Sequence, residues 1–159
     1  MSKEGKRDRS CCGTAVALEI VGDRWSLLIV RAYIFMGMRE YGQFLTMPEV
    51  ISTNVLADRL SWLVENKILI KHPHPTNGTK YFYEMTDKGF DLLLIIMEMA
   101  RWSWKYNPEA FCPDDIKTSF LQSNPSTFIQ EWKARAQQCS AEYIAVQRPQ
   151  SRRKVNSHL

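Results

Sequence analysis

With 159 residues, 45% of them hydrophobic, and a formal charge of +4, the chain is long enough to bury a core and too apolar to be disordered throughout. The charge sits at the ends: residues 1–9 carry four basic and two acidic side chains, residues 148–159 four basic and none acidic, and the stretch between is slightly negative. Polar opening residues argue against a secretory leader, and the most apolar run, Leu92 to Met97, is too short to span a bilayer; a cytoplasmic protein with no membrane partner and four reduced cysteines is expected.

Residues 1–10 read as a flexible basic arm. The segment 12–21 has small and apolar residues at helical spacing and ends at Gly22, and Asp23 is placed to cap the next helix. That helix, RWSLLIVRAYIF, is apolar on nearly every side, as a buried central helix is, and Met36-Gly37 ends it. Arg39 to Leu45 predicts a short helix with Tyr41, Phe44 and Leu45 inward, stopped by Pro48. Ser52 precedes a longer helix, 53–66, whose core stripe is Leu56, Leu60 and Leu63 and whose other face carries Asn54, Ala57, Asp58 and Ser61.

Ile68 to His72 and Lys80 to Met85 read as strands, with the tight turn at Thr76-Asn77-Gly78-Thr79, because Asn-Gly supplies positive φ. Thr86 caps a helix that runs to Tyr106 and stops at Asn107-Pro108. Beyond it, 107–147 reads as a helical extension, with a short helix and then one capped by Ser126. That last helix bears an apolar stripe of Phe128, Ile129, Trp132, Ala136, Cys139 and Tyr143. A basic flexible tail, 148–159, follows.

The unit from Arg39 to Gly89 is therefore helix, turn, helix and β-hairpin. An α-helix fits the major groove of DNA, and polar residues at its N-terminus reach base edges. Ser52, Thr53 and Asn54 stand there, and asparagine reads adenine through two hydrogen bonds. Arg59 is placed to reach phosphate or to pair with an acid inside the fold. Asn77, Gly78, Thr79 and Lys80 at the hairpin tip are placed for the backbone or the minor groove. The same unit is also compatible with a protein-interaction adaptor that does not bind DNA.

The chain resembles the HxlR family of bacterial winged helix-turn-helix regulators, relatives of the MarR group. The resemblance rests on a cysteine before a short helix (Cys11 or Cys12), IVGDRWSLLIVR (20–31), REYGQF (39–44), ISTNVLADRLSWLVENKIL (51–69), KYFYEMTDKG (80–89) and Trp102. It covers roughly residues 11–106. It implies a mainly α fold with a small β-hairpin wing, a homodimer built from the N-terminal region and the helix 87–106, and a pseudo-palindromic double-stranded DNA operator. It places Ser52, Thr53, Asn54, Asp58 and Arg59 at or near DNA and Lys80 at the backbone. Some members sense oxidants through the N-terminal cysteine, which marks Cys11 and Cys12 as redox candidates. Phe82 departs from the family's pattern, where an acid is common, as does Asp58, where a neutral or basic residue is common. The region after Asn107 exceeds the family norm.

Other chemistry lacks its parts. No glycine-rich phosphate loop, GxSxG or HExxH occurs, so no enzyme and no cofactor is expected. His72 and His74 alternate on one strand face without a nearby carboxylate or cysteine at good spacing, which favours wing contacts over a metal pair, and no metal is expected. The tryptophans and the Met97/Met99 helix fit a core, or a small-molecule inducer pocket between dimer helices.

Overall fold

The computed structural model describes residues 11–147; the two basic termini lie outside them. The order is α1 (Gly13–Val21), α2 (Ser26–Met36), α3 (Tyr41–Phe44), α4 (Thr53–Glu65), β1 (Leu69–His74), β2 (Asn77–Met85), α5 (Asp87–Tyr106), α6 (Asp114–Gln122) and α7 (Pro125–Gln147). This is a winged helix-turn-helix fold, mainly α with one antiparallel hairpin, followed by two further helices.

The central helix is α2, with Ile29, Val30, Ala32, Tyr33 and Ile34 buried. Asp23 serves its N-terminus as the spacing predicts: one carboxylate oxygen accepts from the amides of Trp25 (2.7 Å) and Ser26 (3.0 Å), and the other from the Ser26 hydroxyl. Gly37 ends the helix at φ 68°, a left-handed conformation open to glycine. Around α2 pack Phe44 of α3, Leu56, Leu60 and Leu63 of α4, Phe90, Leu93 and Met97 of α5, and Phe128, Trp132 and Ala136 of α7, all in one core. Thr86 caps α5, its hydroxyl accepting from the Gly89 amide (3.2 Å). Gly89 sits so close to the residue that leads into β1 that a Cβ there would lie 2.7 Å from the Ile68 carbonyl oxygen; only glycine fits without a shift.

The hairpin differs from its expected form. Its turn is Pro75-Thr76, since His74 pairs with Asn77. The register runs evenly from Leu69↔Met85 to Pro73↔Tyr81 and then shifts, leaving Gly78, Thr79 and Lys80 without partners on β1. Gly78 does not take positive φ. The local preference of Asn-Gly loses to two prolines: Pro73 has no amide to continue the ladder, and Pro75 presets the turn backbone. A short third segment joins the sheet where Glu40 bridges Phe82 and the Tyr83 amide donates to the Arg39 carbonyl (2.8 Å).

The last helix also departs in detail. Pro125 is its first residue, and Asn124, not Ser126, caps it by accepting from the Thr127 amide (2.9 Å). Its buried stripe is Phe128, Trp132, Ala136 and Ser140, at four-residue intervals, whereas Cys139 is exposed. Ser140 is buried because it serves a buried guanidinium. Arg39, 1% exposed, donates from Nε to Ser140 Oγ (2.9 Å) and from Nη2 to the Ala136 carbonyl (3.0 Å). Its Nη1 donates to the carbonyls of Tyr33 (2.7 Å) and Met38 (3.0 Å). The guanidinium also stacks 3.5 Å from the Tyr33 ring centroid. Burial pulls its pKa below the usual arginine value. Arg39 thus caps the C-terminal end of α2, where carbonyls lack helical partners and carry the negative end of the dipole, and ties that end to α7.

Candidate nucleic-acid interface

The helix-turn-helix is α3 and α4 with the turn between them. The turn is held from below: Arg31 of α2 grips both carboxylate oxygens of Glu49, at 2.7 and 3.0 Å. That contact holds the Glu49 carboxyl below its usual range, its hydrogen bonds and charge outweighing partial burial. Tyr41 OH of α3 donates to the Thr53 carbonyl (2.8 Å), fixing the start of α4. Ser52, Thr53 and Asn54 are all exposed there. Ser52 has N-cap backbone angles but makes no side-chain cap bond, so its hydroxyl is not committed to the helix.

Asp58 and Arg59 take a different part. Arg59 donates from Nε (3.1 Å) and Nη2 (2.5 Å) to Asp58 Oδ2, and its Nη1 lies 3.4 Å from Asp23 Oδ2. Of the two possibilities left open for Arg59, pairing inside the fold is the one present here. Burial works against the charged form of Asp23, but Ser26, the two amides and Arg59 outweigh it and hold its carboxyl below the usual value. Hydrogen bonding to Asp58 leads the effects that push the Arg59 guanidinium up. Sequence reasoning missed Asp23 as a partner, since it lies thirty-six positions upstream.

On the wing, Asn77 Oδ1 accepts from the amide (3.1 Å) and hydroxyl (2.7 Å) of Thr79, which shapes the tip. Lys80 is exposed and lies 3.8 Å from Glu40 Oε2. His72 stacks on Phe82 (centroids 5.0 Å apart), with Nε2 2.9 Å from Glu84 Oε2. His74 is buried and accepts at Nδ1 from the Thr76 amide (3.2 Å). Among the described residues no three metal-ligating side chains gather. Phe82 contacts Tyr143 of α7 as well (5.7 Å), and Tyr143 OH donates to Glu40 Oε1 (2.9 Å). Burial first, and then Glu40, push that phenol well above the usual tyrosine range. The apolar Phe82 and the added helix therefore belong together: an acid here would meet an aromatic ring.

Cys11 and Cys12 are both exposed. Cys12 occupies the N-cap of α1, and the amides of Ala15 and Thr14 draw its thiol below the ordinary value. The basic residues Lys6, Arg7 and Arg9 fall outside the described segment. No helix among the described residues is long and apolar enough to cross a membrane.

Known proteins share this arrangement. The chain is 37% identical over 92 residues to the HTH-type transcriptional regulator Mb3122 of Mycobacterium bovis, a match covering 58% of this chain and 57% of that one. It thus spans little more than half the length of that relative. It is 30% identical over 87 residues to the HTH-type transcriptional regulator YodB of Bacillus subtilis, covering 55% of this chain and 77% of YodB. Among solved structures, PA1607, described as a candidate transcription factor, superposes with a TM-score of 0.56 at 34% identity, covering 67% of this chain and 70% of PA1607. The reduced form of YodB superposes at 0.50 with 27% identity, covering 62% and 96%. The HxlR-like helix-turn-helix model matches residues 20–111, which hold α2 to α5 and the candidate interface residues from Asp23 to Glu84; the chain belongs to the HxlR-like helix-turn-helix family.

Proposed function

We infer that this chain is a bacterial transcriptional regulator that binds double-stranded DNA sequence-specifically as a homodimer, in the cytoplasm and without catalysis. The observation that carries the reading is the exposed polar start of α4, with Ser52, Thr53 and Asn54 beside a wing, in a chain of this family. Relatives named HTH-type transcriptional regulators support it. In this reading 11–106 binds DNA and dimerises, while 107–147 braces that unit.

The homodimer rests on α1 and α5. Both present large apolar side chains to solvent: Val16 and Leu18 on one, Ile95, Met99, Trp102 and Tyr106 on the other. A cleft of about 730 Å³ runs between them, lined by Leu18, Val21, Leu27, Ile95 and Met99. A second copy that covers these faces would bring two α4 helices to two half-sites about one helical turn apart, or a multiple of it. The same cleft gives a small-molecule inducer an apolar place to act.

Selection of bound duplexes from a random pool tests the function. Asn54→Ala is expected to weaken specific binding by about 1–3 kcal/mol, while Lys80→Ala weakens all sequences alike. Equal loss on specific and random DNA for Asn54→Ala would contradict base reading. Binding to an enriched duplex must also fall with salt as phosphate contacts release counterions. Salt-independent behaviour with a stable protein complex would favour the adaptor.

The low-lying thiol of Cys12 supports redox modulation of that affinity. Repeating the binding measurement with hydrogen peroxide, which oxidises a single thiol to a sulfenic acid and is itself reduced to water, should give a shift that Cys12→Ser removes and Cys11→Ser retains. Identical curves for wild type and Cys12→Ser would end the redox reading.

A further inference from the structure

We propose that α4 and the turn before it select A·T base pairs, with Val50 as the residue that recognises a thymine methyl. This rests on the DNA-binding reading above.

Val50 has φ 55°, in the left-handed region, where a β-branched side chain is a genuine outlier. It is also 81% exposed. Its isopropyl group therefore gains little from packing that could offset the strain. What holds it there is its surroundings. Its amide donates to the Met47 carbonyl (3.0 Å), closing the turn. Glu49 on one side is gripped by Arg31, and Ile51 on the other is 4% exposed in the core. Glycine takes this conformation freely and would satisfy the fold at this position. Strained residues that their surroundings over-determine cluster at functional sites. Here the strained residue stands two positions before Ser52.

The chemistry of the surface agrees. From the turn into α4 it offers two exposed valines (Val50 and Val55), two hydroxyls (Ser52 and Thr53) and one carboxamide (Asn54). The one basic side chain of α4, Arg59, is held by Asp58 and Asp23. Guanine is read chiefly by arginine or lysine at O6 and N7, adenine by asparagine or glutamine, and thymine by apolar contact with its methyl group. A surface with a carboxamide and exposed methyls, whose cation is already paired, is built for adenine and thymine.

The test uses the full chain and duplexes it enriches from a random pool. Each thymine is replaced in turn by deoxyuridine, which deletes only the methyl group. Wild type should lose about fourfold in affinity at one thymine per half-site, the worth of one buried methyl-sized group. Val50→Gly should have lost that dependence while melting no lower than wild type. Val50→Thr, which keeps the branched shape but exchanges one methyl for a hydroxyl, should show a reduced dependence. Indifference of wild type to every thymine methyl, enrichment of G·C-rich half-sites, or undiminished methyl dependence in Val50→Gly overturns the proposal. A chain that enriches no duplex overturns the DNA-binding reading and this one with it, an outcome distinct from enrichment without methyl dependence.

Discussion

Replacement of Arg39 by alanine is expected to destabilise the fold by about 3–5 kcal/mol, from lost donors and a new cavity together. The side chain is fully buried and serves four oxygens: the Ser140 hydroxyl and the carbonyls of Tyr33, Met38 and Ala136. Two of those carbonyls belong to the end of α2 and its exit, where the helix supplies no donors. A buried polar group left unpaired costs about 1–3 kcal/mol. The substitution also removes a guanidinium packed on the Tyr33 ring. Urea unfolding measures the effect as a lower midpoint. Arg39→Met separates the two contributions, because it restores volume without donors. If the methionine variant unfolds with wild type, the hydrogen bonds contribute nothing net and packing explains the alanine result.

The second large effect concerns α5. Ile95→Arg places a charge on a face where Ile95 is 42% exposed beside Met99 and Trp102. The side chain does not belong to the buried core, so the monomer should fold with unchanged helicity. The proposed dimer should not form, because an unpaired charge in an apolar seam is strongly disfavoured. Loss of the second half-site should then reduce affinity for a palindromic duplex by about a hundredfold or more, as linked sites bind with high effective concentration. Light scattering reads the mass, and titration with the enriched duplex reads the affinity. A dimer of unchanged affinity in Ile95→Arg would move the seam elsewhere.

Elements that depend on their own residues were legible in the sequence. The leucines of α4 and the Thr86 cap of α5 stand where periodicity and capping chemistry put them. Asp23 stands where a cap was needed and makes those bonds. Legibility failed where residues outside the local motif decide. Asn77-Gly78 is a strong turn signal by itself, yet the prolines on either side of His74 moved the turn to Pro75-Thr76. The stripe of α7 reads through Cys139 by hydrophobicity, but the buried residue is Ser140, because a guanidinium one hundred and one positions away requires its hydroxyl. At the interface, the exposure of Ser52 to Asn54 follows from the amphipathic pattern. The pairing of Arg59 with Asp23 and the left-handed Val50 do not, since Asp23 lies far upstream, just before α2, and the turn that holds Val50 is gripped by Arg31 of α2.

Tyr143 carries a further consequence. A two-stranded hairpin alone is marginal in water, and in a free state it would sample many orientations. Here one ring rests against Phe82 and, edge-on, against His74, while its hydroxyl anchors to Glu40. The entropy of ordering the hairpin is thus lost during folding rather than on association. In the proposed DNA-binding role, a wing braced in this way should make the hold on DNA depend less on temperature than a wing that must settle on arrival, and the advantage should lie in how slowly the complex dissociates.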